Sequence, residues 1–226
     1  MKQILFKFLI LNFLFVVCAC SQDGSSVNDL FKKGQEALKS GDRDKAIEYL
    51  KQACNLNSGL RSGFSCYQVG NFYRNIVGDT RKSSEYYEKA CDLNLGLACF
   101  ASADTYRIIN PDKALNYYKK ACDLEISQSC VELANLYIEE NNASKFLEYL
   151  NKACDSKDAK TCNDLAKIYE QGVIKYKLGI EDKEISIKKD SSKALQYYKK
   201  ACDEAESNDS AKQDYCEKYH QLKSNF

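Results

Sequence analysis

Ten cysteines between Cys54 and Cys216 fall into five local pairs. Cys91/Cys99, Cys122/Cys130 and Cys154/Cys162 each enclose seven residues, and Cys54/Cys66 and Cys202/Cys216 are wider versions of the same spacing. Thiols can act as nucleophiles, metal ligands or halves of disulfides. A catalytic thiol would stand apart from the others, whereas all ten here have a partner at a repeated offset. A zinc site would need close cysteine pairs or several histidines. There is no C-x-x-C, and His220 is the only histidine, so no metal or other cofactor is expected. A disulfide needs alpha carbons within about 7 Å. The end of one helix and the start of the next can meet that across seven residues. An even cysteine number also suits an oxidising compartment. Cys54–Cys66, Cys91–Cys99, Cys122–Cys130, Cys154–Cys162 and Cys202–Cys216 are therefore read as structural staples. Each closes a short loop, worth about 2–3 kcal/mol.

The segments leading into the first cysteine of each pair are alike. KAIEYLKQAC ends at Cys54, SSEYYEKAC at Cys91, KALNYYKKAC at Cys122, KFLEYLNKAC at Cys154 and KALQYYKKAC at Cys202. The segments after the second cysteine also repeat. Cys66, Val69, Gly70 and Tyr73 recur as Cys99, Ser102, Ala103 and Tyr106, then as Cys130, Leu133, Ala134 and Tyr137, then as Cys162, Leu165, Ala166 and Tyr169. These offsets lie on one face of a helix. Gly or Ala four residues after each cysteine lets two helices cross closely, and the tyrosine three further on fills space between layers.

Periodicity and caps predict five helix pairs over 28–54, 64–91, 97–122, 128–154 and 160–202, with a closing helix from Ala211 to Leu222. Each second cysteine should open its helix, and the longer interval before Cys66 should be a longer connection. Second helices should be capped near Asp42, Asp79, Asn110, Asn141 or Asn142, and Asp190 or Ser191, with Pro111 in a first turn. Asn55, Asp92, Asp123, Asp155 and Asp203, each just after a cysteine, are expected to turn the chain. Residues 172–189 are an insertion within the fifth pair. Their pattern leaves open a loop, a helix extension or a hairpin.

The N-terminus carries a targeting segment. Lys2 and Lys7 flank the start of an apolar run, Ile4 to Val17, which meets Val17-Cys18-Ala19-Cys20. Residues 1–19 resemble a bacterial lipoprotein signal, which implies acylation of Cys20. In Gram-negative lipoproteins Ser21 implies sorting to the outer membrane. Residues 20–28 are read as a flexible tether and 29–222 as the repeat domain. Lys+Arg 33 against Asp+Glu 32 gives no sign of a nucleic-acid partner.

The repeated units look like Sel1-like repeats, relatives of the tetratricopeptide repeat, and more closely resemble the Helicobacter cysteine-rich protein family. The likeness runs from Leu30 to Leu222. It implies an all-α superhelix, a solenoid of antiparallel helix pairs with one disulfide per repeat. It also implies export by a Gram-negative bacterium. The intervals Cys91–Cys122 and Cys122–Cys154 are shorter than that family's usual repeat.

Members of that family are often labelled penicillin-binding proteins or β-lactamases, which would imply binding of β-lactams or peptidoglycan fragments. A serine hydrolase of that kind uses S-x-x-K with S-D-N and K-T-G. Only Ser186–Lys189 gives S-x-x-K, among 20 serines and 28 lysines, and the other two motifs are absent. No catalytic residue is assigned. The expected function is a scaffold for a protein or peptide, tethered to the membrane by its lipid, in the periplasm or at the outer membrane, with a penicillin-binding protein or weak β-lactamase as the alternative. Tyr49, Tyr86, Tyr87, Tyr117, Tyr118, Tyr149, Tyr197 and Tyr198 are its candidate contact surface. Adjacent helix positions face different ways, so one tyrosine of each pair should be packed and the other free to line a groove.

Overall fold

The computed structural model describes residues 26–225. The leader, the acylation candidate Cys20 and most of the tether lie outside the described residues. Eleven α-helices are present among those described. The first pair is α1 (Val27–Lys39) and α2 (Arg43–Asn55). The second is α3 (Gly59–Phe72), which continues as a π-helical turn Tyr73–Val77, and α4 (Thr80–Asp92). The third is α5 (Gly96–Tyr106) and α6 (Pro111–Asp123), and the fourth is α7 (Ser127–Glu139) and α8 (Ala143–Asp155). The fifth is α9 (Ala159–Gln171) and α10 (Ser191–Glu204), and α11 (Lys212–Lys223) closes the stack. Each helix packs chiefly on its sequence neighbours, the arrangement of a solenoid.

The second helix of every pair starts the same way. Asp42, Asp79, Asn110, Asn142 and Asp190 accept, through their side chains, the backbone N–H of the lysine three residues on. This satisfies one of the amides that a helix start leaves free. Asn141 is not the cap. Its φ of 58° places it in the left-handed region, just past the end of α7.

The linkers between pairs differ from the sequence expectation. Asn55, Asp92, Asp123 and Asp155 are the last residues of their helices, and Asp203 lies inside α10. The chain turns instead three residues after the first cysteine of the first four pairs, at Asn57, Asn94, Glu125 and Lys157, with φ of 50°, 59°, 62° and 66°. In each case the N–H of that residue donates to the cysteine carbonyl, at 3.2, 2.9, 3.0 and 3.1 Å. Leu95 and Ile126 then donate to the carbonyls of Ala90 and Ala121, the bond pattern of a Schellman stop. Three of the aspartates join layers instead. Lys120 pairs with Asp92 at 3.7 Å, Lys152 with Asp123 at 3.2 Å and Lys200 with Asp155 at 2.5 Å, each bond linking one pair to the next.

Five disulfides close the linkers, with Cα–Cα distances between 4.6 and 4.8 Å. The second cysteine does not open its helix: Cys99, Cys130 and Cys162 lie one turn inside α5, α7 and α9. Nor is the Cys54–Cys66 interval a longer connection. Its sequence separation is 12 against 8 in the next pair, and the additional residues extend the start of α3. Four residues are close to one turn of helix, so Cys66 keeps its facing. The wide Cys202–Cys216 interval does hold a loop, between α10 and α11.

The insertion is a hairpin, so the fold is mostly rather than wholly helical. β1 (Val173–Leu178) pairs antiparallel with β2 (Glu181–Ser186), and Gly179 at the tip takes φ +64°. Ile174, opposite Ile185, is buried against the core of the last two pairs. Ile185 and Ile187 alternate with polar residues, as one covered strand face requires.

The interior is built on small residues. Ala90, Ala103, Ala121, Ala134, Ala153, Ala166 and Ala201 are fully buried. A Cβ on Gly70 would lie 2.6 Å from the Tyr87 ring, a measure of how closely α3 and α4 cross.

Candidate functional site

The structure divides the eight tyrosines. Tyr87, Tyr118 and Tyr198 are buried and so leave the candidate contact surface. Leu50 and Leu150 fill the equivalent places in the first and fourth pairs. The three buried hydroxyls donate to Asn71, Asp104 and Glu170 at 2.7, 2.9 and 2.7 Å. Burial pushes the pKa of each of these phenols upward.

Tyr49, Tyr86, Tyr117, Tyr149 and Tyr197 are half-buried. Four of them stack on the tyrosine seven residues after the cysteine in the same pair. Tyr73–Tyr86, Tyr106–Tyr117, Tyr137–Tyr149 and Tyr169–Tyr197 have centroids 5.6, 6.0, 5.3 and 5.6 Å apart and planes within 16° of parallel. The capped lysine of each second helix completes the unit. Lys82, Lys113, Lys145 and Lys193 lie 5.2, 3.9, 4.5 and 4.9 Å from the centroids of Tyr73, Tyr106, Tyr137 and Tyr169, within cation–π range. In the first pair Ala37 stands where the others have tyrosine, and Lys33 lies 5.8 Å from the Tyr49 centroid. The ladder therefore commits its ring faces to internal contacts.

The open concavities lie between successive pairs. One of about 300 Å³ sits between the first and second, lined by Leu38, Ile47 and Phe72 among others. One of about 230 Å³ sits between the third and fourth, lined in part by Leu115 and Leu136. The largest of these three, about 450 Å³, lies between α7 and α9 with β1 as a wall. Val131, Phe146, Leu150, Ile168 and Val173 supply its apolar lining, and Gln128, Asn135, Gln171, Lys160 and Lys175 are among its polar residues. Phe72, Leu136 and Ile168 each stand six residues after a cysteine. That recurring apolar position is the sequence signal for the crevices. A reading confined to the +3, +4, +7 stripe misses it.

The hydrolase motif does not assemble into a site. Ser186 ends β2 and is exposed. The stem of Lys189 lies over Gly172, where an added Cβ would meet its Cγ at 2.5 Å. Among the described residues no group of three or more His, Cys, Asp or Glu is placed to hold a metal ion. His220 is exposed on α11 beside Tyr219.

Paired helices, small-residue crossings and a disulfide at each hand-over define a cysteine-rich repeat scaffold. Family models give it a more particular place. The tetratricopeptide repeat model matches residues 30–59, 65–96 and 127–160, and the Sel1 repeat model matches 93–125 and 175–205. The chain is a Sel1-like, tetratricopeptide-like repeat protein. Among solved structures it is similar to a Sel1 repeat protein from Oxalobacter formigenes, at 19% identity and TM-score 0.59, covering 78% of this chain and 71% of that one. It also matches Helicobacter pylori cysteine rich protein B at 26% identity and TM-score 0.41, over 64% of this chain and 98% of that one. A third match is an immunity protein, PA5088, from Pseudomonas aeruginosa, at 18% identity and TM-score 0.47, over 91% of this chain and 84% of that one. No curated protein matches the chain.

Proposed function

We propose that this protein is an exported, lipid-anchored scaffold that holds an extended segment of a partner protein in the groove between α7, α9 and β1. The groove itself carries the reading. It is the largest of the three concavities, about 450 Å³, and it exists where the repeat pattern is broken by a hairpin. An apolar floor suits one or two partner side chains. The amides of Gln128, Asn135 and Gln171 can donate to and accept from a peptide backbone. The charged lining is mixed: Lys167 lies 3.6 Å from Asp164 and Lys175 3.5 Å from Glu184, and Asp158 stands near Lys160, so the partner segment is expected to carry both signs of charge or none.

The staples support the mechanism. They hold neighbouring layers in register before the partner arrives, so less conformational freedom is lost on binding. Export is supported by the leader before Cys20 and by the five disulfides, which persist in oxidising compartments. Hydrolysis of β-lactams has no such support, because the one S-x-x-K stands in the hairpin insertion without S-D-N or K-T-G.

A photo-crosslinking residue at Ile168, and another at exposed Glu85 on α4, tests the proposal in intact envelopes. A discrete protein adduct from position 168 and none from position 85 is expected. Val131→Asp, which puts a charge on the apolar floor, should weaken that adduct. Equal adducts at both positions, or none at 168, would remove the groove from the binding surface.

A further inference from the structure

We infer that Leu56, Leu60, Phe64 and Leu97 seat the first end of the solenoid against a lipid bilayer. All four are between 40% and 55% exposed. They share one rim, where second helices hand over to first helices. Leu56 caps the end of α2, Leu60 and Phe64 lie in the opening turns of α3, and Leu97 is the second residue of α5. Two further observations single this rim out.

The additional turn at the start of α3 is the first. The other linkers between pairs make their staples without it. Its effect is to add Leu60 to the rim. Phe64 and Leu97 stand two residues before a cysteine, and the same position is Gln128 in α7 and Lys160 in α9. The apolar character is therefore confined to one end of the stack and is not a demand of the repeat.

The second is where the chain enters. Antiparallel packing brings the start of α1 beside the end of α2. Arg61 lies 4.9 Å from the Phe31 ring, and Gln35 donates to Gln68 at 2.8 Å, so α1 runs alongside α3. Ser26 is thus level with the apolar rim. Only residues 21–25 separate it from Cys20, a reach of about 20 Å at most. Ile76, Val77, Ile108 and Ile109 are also exposed, but they lie at the opposite rim, a further helix length of about 20 Å away. Exposed charges near the first rim are mixed, with Lys32, Lys33 and Arg61 beside Asp29 and Asp92, so the contact is carried by the apolar side chains. The inference rests on the lipid-anchor reading for its geometry, and on the rim residues for its chemistry.

Benzoyl-phenylalanine placed at Phe64, Leu97 or Ile109 of the full chain, irradiated in the envelope, reads the contact directly. Phospholipid-mass adducts at 64 and 97, and severalfold fewer at 109, are expected. Adducts to protein at 64, or lipid adducts at all three positions alike, would overturn the inference. Acylation is read separately from the mass of the N-terminal peptide. An acylated Cys20 without lipid adducts at 64 sinks the rim alone, and an unmodified Cys20 sinks the anchor whatever the adducts show. Unlipidated Cys20→Ser protein should still partition onto phospholipid vesicles. Adding Leu60→Asp and Phe64→Asp should lower that partition by about tenfold or more, while thermal unfolding confirms an intact fold. Unchanged partition in a folded double variant would also overturn it.

Discussion

Tyr106 and Tyr117 lie with ring centroids 6.0 Å apart and planes 16° from parallel, and the Lys113 ammonium sits 3.9 Å from the Tyr106 centroid. The Tyr106 hydroxyl donates to Glu88, as Lys113 does at 2.8 Å. Glu88 belongs to the preceding pair, so one stacked unit fastens two layers. A double-mutant cycle on Tyr106→Leu and Tyr117→Leu should give a coupling of about 0.5–1.5 kcal/mol in chemical denaturation. Coupling near zero would make the stacking incidental.

The same ladder sets an alkaline limit. Burial, with the Glu88 carboxylate adding to it, pushes Tyr117 up to about 12. Burial, with Tyr137 beside it, does the same for Tyr149. An unfolded tyrosine titrates near 10. Between these values the folded chain holds protons that the unfolded chain releases, so the stability contribution is complete below about pH 10 and is lost as pH rises toward 12. Tyrosinate absorbance should show late-titrating residues, fewer in Tyr149→Phe. Titration of every tyrosine near 10 before unfolding would contradict this.

Replacing Cys122 and Cys130 together by serine removes one staple between the third and fourth pairs. Stability should fall by about 2–3 kcal/mol, read from the denaturation midpoint. The cysteines are nearly fully buried, so alanine in place of serine should be the milder pair.

Gly70→Ala and Gly63→Ala separate close crossing from helix propensity. The added methyl at Gly70 meets the Tyr87 ring at 2.6 Å, whereas at Gly63 its nearest neighbour is Leu93 Cβ at 3.4 Å. Gly70→Ala should destabilise by about 1–3 kcal/mol. Gly63→Ala should be near neutral or stabilise by up to about 1 kcal/mol. Equal melting temperatures would refute the crossing argument.

Ile174→Ala should cost about 2–4 kcal/mol, because Ile174 is the hairpin residue buried in the core. Hydrogen exchange should show the loss concentrated in the hairpin, α9 and α10. Loss spread evenly to α1 would mean the stack unfolds as one unit.

The linkers show where reading along the chain fails. Asp92, Asp123 and Asp155 have the composition of turn residues, yet they are helical and bond to lysines of the next layer. Glu125 and Lys157 rarely take positive φ, yet they turn the chain. Local preference is worth less here than the disulfide and the carbonyl bonds of each stop. The additional turn of α3 was hidden for a similar reason: Gly59 and Gly63 weaken a helix, but packing of Gly63 on Leu93 and Leu95 restores it.

Cysteine spacing, capped lysines and the small-residue crossings are local, periodic properties, and they determine the paired-helix repeat and its staples without reference to anything distant. Which tyrosine of each pair is buried, that residues 173–186 pair as strands, and that a groove opens beneath them are relations between neighbouring layers. Only the stacked structure decides those, because side-chain burial depends on what the next layer brings against each face.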